Sequence, residues 1–300
     1  MDNKPNIEIE HLTHDYGHGR GVFDVSFHVN EGEVFGFLGP NGAGKSTTIR
    51  HLMGFTKPQS GSTKLFGFDT FNNGEKFLDR VGYIPGEVAL PAGLTGWEFL
   101  DMMKKLRSVK DDKMLKYLLE LFEVNPKGDV KRMSFGGKRK LAIVTAFMHD
   151  PEVLILDEPT SGLDPIMQER FVQYLKEEKK RGKTILLSSH VFSEINDTSD
   201  RIAIIKDGRI VSEFHAESFK HSINKTYKIT TIDAKEVEKL QEAFKKENLK
   251  IVDVNGNEIL VNLDIQDMNK LIDVLSKFKV LDFSEIKETL EQYFMKYYQN

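Results

Sequence analysis

Val34 to Thr47 read VFGFLGPNGAGKST, an apolar run leading into a glycine-rich loop that ends in lysine, serine and threonine. From Gly39 the loop fits G-x-x-x-x-G-K-[ST], a spacing that suits a bound polyphosphate. Such an anion is surrounded by main-chain N–H groups, so Gly39, Gly42 and Gly44 allow a close backbone approach that side chains would block. Pro40, Asn41 and Ala43 complete the loop. A helix is expected from Lys45 to about Phe55, with its unpaired N–H groups and positive dipole end facing the anion. Lys45 supplies a charge between two phosphates, the Ser46 hydroxyl is a hard oxygen ligand for Mg²⁺, and Thr47 follows in the same turn.

Upstream of this loop the pattern is that of strands. Ile7 and Ile9 alternate with Glu8 and Glu10, and Phe23, Val25, Phe27 and Val29 alternate in the same way. Ser62 to Phe66 and Val81 to Ile84 read as further strands. From about Gly86 to Asp150 the period becomes helical. Thr95 with Glu98 forms a capping box ahead of Phe99 and Met102. Asp111 to Phe122 is amphipathic, and Ser134 opens a third helix carrying Leu141, Ile143 and Val144.

VLILDEPTSGLD, Val153 to Asp164, places two acids after a continuous apolar strand. At the carboxyl edge of a parallel sheet, where ligands bind, Asp157 can hold Mg²⁺ through its water shell. Glu158 can orient an attacking water and accept its proton. Neighbouring strand residues point to opposite faces, so the turn after Leu156 has to redirect the second acid. Asp164 and Pro165 start the next helix as N-cap and first helical residue, and Gly182 ends it. Thr184 to Ser188 is another buried strand. Asp207-Gly208 marks a hairpin between Ile202–Ile205 and Arg209–Phe214.

The chain has 300 residues, a formal net charge of -4, 39% hydrophobic and 29% charged residues, and no cysteine. These numbers suit a globular protein of two domains. They exclude disulfides and thiol chemistry, and they argue against a nucleic-acid partner, whose footprint is usually basic. No run approaches the roughly 18 apolar residues of a membrane span, and MDNKPNIEIE lacks the form of a signal peptide. The expected division is residues 1–218, with a helical subdomain at about 86–150, and residues 219–300. The second part reads strand, helix, strand, strand, helix, strand, helix, which suits a small ferredoxin-like α+β unit. The last helix, Leu290 to Tyr298, carries an apolar-aromatic face expected to pack on its own domain. His11, His14 and His18 form a histidine-rich stretch with only Asp15 as a nearby acid, a poor metal site.

Taken together, the chain resembles the nucleotide-binding subunits of ABC transporters over about residues 5–215. The fold implied is α/β: a phosphate-loop cassette with a mixed core sheet, an antiparallel β subdomain and a helical subdomain. MSFGGKRK, Met133 to Lys140, resembles the family's signature sequence, so Ser134, Gly136 and Gly137 are expected to contact ATP held by a second subunit. Ser161 to Asp164 resembles the loop that crosses the dimer interface. His190 matches the switch histidine near the γ-phosphate, and Tyr16 stands where the family places an aromatic ring against adenine. The sequence departs from the pattern at two places. Phe135 replaces a signature glycine, and Gly86 stands where a metal-sensing glutamine is usual, so Gly86 is not taken as a ligand. The resemblance implies ATP and Mg²⁺ as cofactors and a homodimer or heterodimer of cassettes. It also implies an integral-membrane permease as partner at the cytoplasmic face of the membrane, and export of a drug, antibiotic or amphipathic peptide. The alternatives are a soluble ATPase of the same family acting on a macromolecule, and a phosphate-loop kinase.

Overall fold

Val34–Leu38 is buried along its whole length, and a run this apolar is stable only where both faces of a sheet are covered. The computed structural model describes residues 4–217, 224–286 and 289–298. The first strands are β1 (Pro5–Asp15), β2 (Gly21–Asn30), β3 (Val34–Leu38), β4 (Ser60–Leu65), β5 (Phe68–Asp69) and β6 (Val81–Ile84). They are followed by β7 (Val153–Asp157), β8 (Thr184–Ser189), β9 (Arg201–Lys206) and β10 (Arg209–His215). One sheet has the order β10-β9-β3-β8-β7-β6, parallel except for β10. The loops after β3, β6, β7 and β8 therefore leave from the same carboxyl edge, which gathers Gly39, Pro85, Glu158 and His190 from distant parts of the chain.

A second sheet, β2-β1-β4-β5, is antiparallel. Its inward residues Ile7, Ile9, Val25, Phe27 and Val29 share a core with Phe35, Phe37, Ile155 and Leu186. The expected inward position of Phe23 is corrected here. Asp24 adopts φ 60 and the β1–β2 register shifts between Leu12 and His14. The bulge moves Val22 into the core and leaves Phe23 half-buried.

Helix α1 (Lys45–Leu52) follows the glycine loop and ends before Phe55, because Gly54 turns the chain with φ 72. Between β6 and β7 lie α2 (Gly96–Leu106), α3 (Lys113–Leu121) and α4 (Phe135–Phe147). The capping box is formed at Thr95 and Glu98, and Ser134 caps α4 by accepting from the Gly137 N–H at 3.1 Å. Helix α5 (Pro165–Lys180) is capped by Asp164, which accepts from the Met167 N–H, and Gly182 lies beyond its end with φ 82. Helix α6 (Phe192–Thr198) joins β8 to β9.

The chain divides into two units, Met1–Ala216 with Tyr297–Asn300, and Glu217–Lys296. The boundary expected at 218/219 lies outside the described residues. The second unit contains β11 (Asn224–Thr231), α7 (Ala234–Lys246), β12 (Lys250–Asn255), β13 (Glu258–Asp264), α8 (Met268–Leu275) and β14 (Val280–Ile286), with most of α9 (Leu290–Tyr298). Its sheet is antiparallel with the order β12-β13-β11-β14. Ile229, Ile259 and Val261 from the strands and Leu240, Phe244 and Leu271 from the helices build a separate core. Within the first unit, the Tyr298 hydroxyl donates to the Ile205 carbonyl at 2.6 Å.

Candidate functional site

The loop Gly39–Thr47 passes from β3 into α1 so tightly that two of its glycines are obligatory. A Cβ at Gly39 would lie 2.6 Å from the Ile205 carbonyl oxygen, and Gly44 holds φ 112 at the helix N-cap. Ala43 accepts from the Gly208 N–H at 2.9 Å, so the β9–β10 turn supports the loop from behind. The first N–H groups of α1, at Lys45, Ser46 and Thr47, have no partner within the helix, and its dipole makes that end attractive to anions. Lys45 is buried, 5% exposed. Its ammonium donates to the carbonyls of Gly39 and Pro40 and lies 3.1 Å from Glu158 Oε1.

How two adjacent acids reach one site is answered by the backbone. Asp157 is the last residue of β7 and is buried, with its Oδ1 accepting from the Ser188 hydroxyl at 2.8 Å. Glu158 leaves the strand in the left-handed region, φ 49, while its N–H still donates to the Ser188 carbonyl. That conformation is unfavourable for a residue with a Cβ by roughly 1–2 kcal/mol. It swings the carboxylate into the space between Lys45 and His190, whose Nδ1 is 2.7 Å from Glu158 Oε2.

Gly86 occupies a position beside both metal candidates. A Cβ placed on it would be 2.8 Å from Asp157 Oδ2 and 3.6 Å from Ser46 Oγ. A carboxylate and a hydroxyl thus converge on one point, and these hard oxygens suit a small divalent cation that keeps most of its water.

Of the other residues expected from sequence, Ser134, Gly136 and Gly137 gather at the start of α4. A Cβ at Gly136 would meet the Gly162 carbonyl oxygen at 2.7 Å, and one at Gly162 would collide with the edge of the Phe135 ring at Cδ1 and Cε1. Phe135 therefore fills the space above a residue that has no side chain. Tyr16 is half exposed on the β1–β2 loop, with its ring 4.5 Å from that of His14. His11 pairs with Asp24 at 2.7 Å and the His14 ring lies tilted against His51, with 4.8 Å between ring centroids, so His11 and His14 do not converge. Among the described residues no group of three or more histidines, cysteines, aspartates or glutamates is placed to hold a metal.

Sequence reading missed two residues. Glu194 is buried on α6 and accepts from the hydroxyls of Thr160 and Ser189, behind Glu158 and His190. Burial raises its carboxyl above the usual range, against the lowering effect of those hydrogen bonds. Its only sequence signal is its place shortly after His190. Arg139 is completely buried on α4 and donates to carbonyls of two other loops. Nothing local in the sequence marks it.

A parallel sheet whose carboxyl edge brings together an anion cradle, a buried lysine and an aspartate–glutamate pair defines a nucleoside-triphosphatase. A family profile described as ABC transporter matches residues 22–161. The chain is 34% identical over 297 residues to the bacitracin transport ATP-binding protein BcrA of Bacillus licheniformis, covering 97% of this chain and 96% of that protein. It is 37% identical over 212 residues to the Nod factor export ATP-binding protein I of Paraburkholderia xenovorans, covering 69% of this chain and 70% of that one. Among solved structures, an ATP-binding subunit of an ABC transporter matches with a TM-score of 0.66 at 30% identity, over 72% of this chain and 92% of that one. The chain belongs to the ABC transporter family and is one of its ATP-binding, ATP-hydrolysing subunits. Among the described residues no helix is long and apolar enough to cross a membrane.

Proposed function

We propose that Glu158 is the general base for ATP hydrolysis, and the observation that carries this reading is its left-handed turn between Lys45 and His190. The loop Gly39–Thr47 binds the phosphates through its N–H groups, and Lys45 exchanges its contacts with Glu158 and the loop carbonyls for phosphate oxygens. Glu158 then accepts a proton from water as the water oxygen bonds to the γ-phosphorus. The bond from that phosphorus to the β,γ-bridging oxygen breaks, giving ADP and phosphate. His190 orients the Glu158 carboxylate and reaches the γ-phosphate. Ser46 and Asp157 would hold Mg²⁺, which would neutralise charge on the phosphate oxygens. Tyr16 stacks on the adenine.

Ser134, Gly136 and Gly137 complete the site of a second cassette, and Asp164 sets the start of α5 at that interface. An exposed Phe135 and an exposed Ile166 on this side suit burial in a dimer. The dimer works at the cytoplasmic face of the membrane beneath a separate permease, with no nucleic acid involved. Because a bacitracin transport subunit matches nearly end to end, the cargo class we infer is a peptide antibiotic or similar amphipathic molecule, moved outward.

The test is size-exclusion chromatography with light scattering on Glu158→Gln, with and without Mg-ATP. A monomer that becomes a dimer only with nucleotide supports the shared site. A chain that binds no ATP overturns the reading of the loop. One that binds ATP and stays monomeric overturns the self-paired dimer.

A further inference from the structure

Arg139 follows the capped start of α4, and its guanidinium is completely buried. Its Nη1 donates to the Pro85 carbonyl and its Nη2 to the Gly86 carbonyl, both at 2.6 Å, and its Nε donates to the Ser161 carbonyl at 3.2 Å. A buried charge is tolerated only when its donors are satisfied, and here the planar fork spans two consecutive carbonyls of one loop, a geometry an ammonium cannot copy. Burial works against the charge of Arg139, while the negative charges of Asp157 and Glu158 support it. The residue is thus linked to the acids without touching them.

The loop it grips lies beside the metal candidates, since a Cβ added to Gly86 would stand 2.8 Å from Asp157 Oδ2 and 3.6 Å from Ser46 Oγ. We propose that Arg139 is a positioning residue for this site. It fixes the Pro85–Gly86 main chain over Ser46 and Asp157, and ties that loop to Ser161 beyond the second acid. The acid and the hydroxyl are thereby held in the geometry that takes Mg²⁺. Gly86 has no side chain to do this, so the main chain and a distant guanidinium do it. The inference rests on the reading that Ser46 and Asp157 bind Mg²⁺.

The experiment measures binding of a fluorescent, non-hydrolysable ATP analogue to the full chain, in EDTA and in Mg²⁺. Arg139→Lys keeps the charge and loses the fork. Its affinity in EDTA should equal that of the wild type, while the gain on adding Mg²⁺ falls at least about tenfold, as when the residues that orient metal ligands are removed. Gly86→Ala, which pushes a methyl onto Asp157, should lower the same gain, and the double variant should lose no more than the worse single one. A gain present in wild type and preserved in a folded Arg139→Lys overturns the proposal alone. If circular dichroism shows that Arg139→Lys does not fold, an unchanged gain in Gly86→Ala overturns it. A wild-type affinity that gains nothing from Mg²⁺ overturns the metal reading and the proposal with it.

Discussion

Lys45→Met should destabilise the fold by an amount that depends on whether residue 158 is an acid. Lys45 and Glu158 have side chains only 5% and 15% exposed, with 3.1 Å between their charged atoms. Removing one partner of such a pair costs about 3–5 kcal/mol, because the other charge is left buried. Two features reduce that figure here. Glu158 Oε1 makes no aligned hydrogen bond, so the contact with Lys45 is charge proximity alone. His190 also remains at 2.7 Å from the other oxygen. About 2 kcal/mol is therefore assigned to coupling between the two residues. Loss of the bonds to the Gly39 and Pro40 carbonyls adds about 1 kcal/mol each and does not depend on residue 158. Lys45→Met should then cost about 4 kcal/mol in the wild type and about 2 kcal/mol in Glu158→Gln. Urea unfolding of the four chains at pH 7 without nucleotide gives the cycle. Equal costs in both backgrounds, within about 0.5 kcal/mol, would refute the argument that this ammonium and carboxylate share a buried charge.

Glu158→Gln keeps the shape of the side chain and loses its basicity, so phosphate release at saturating Mg-ATP should fall by about 10²–10⁴-fold, or 3–5 kcal/mol of barrier; a loss under about threefold would remove Glu158 as the base. Gly39→Ala drives a methyl against the Ile205 main chain, and since backbone cannot yield as a side chain does, about 1–3 kcal/mol of stability should be lost in urea melts; an unchanged midpoint would contradict the cradle geometry. Burial, helped by the Arg107 charge, pushes the His149 imidazole down to about 4. The unfolded chain takes up that proton near pH 6.5, so the buried imidazole costs no stability above that pH, and as the pH falls toward about 4 the cost grows to about 2 kcal/mol after allowance for the partly exposed ring. Urea midpoints at pH 7 and pH 5 should differ less in His149→Phe than in the wild type, and identical differences would sink the assignment.

What could be read along the chain was whatever depends on near neighbours. The loop Gly39–Thr47, the capping box at Thr95, the cap at Ser134 and the Asp164-Pro165 helix start each lie within a few consecutive residues, where backbone geometry and hydrogen bonding dictate residue type. The apolar runs at Val34 and Val153 announced covered parallel strands for the same reason, because burial on both faces leaves no polar alternation. The bulge at Asp24 escaped notice, since the shift depends on the partner strand as much as on Phe23 itself.

Only the tertiary structure decided the rest. The strand order carries Gly39, Gly86, Glu158 and His190 to one edge, a consequence of sheet pairing between segments far apart in sequence. Asp157 and Glu158 are adjacent letters, and which of them faces Lys45 was settled by φ 49 at Glu158, a strain sustained by the Ser188 carbonyl and the Lys45 and His190 contacts. Arg139 reads as one more basic residue in a basic stretch, until folding buries it against carbonyls of loops from other strands. The nucleotide chemistry was written locally because a phosphate is bound by consecutive N–H groups. The placement of the acids and of their supports was not, because a buried charge is satisfied by whatever the fold brings near it.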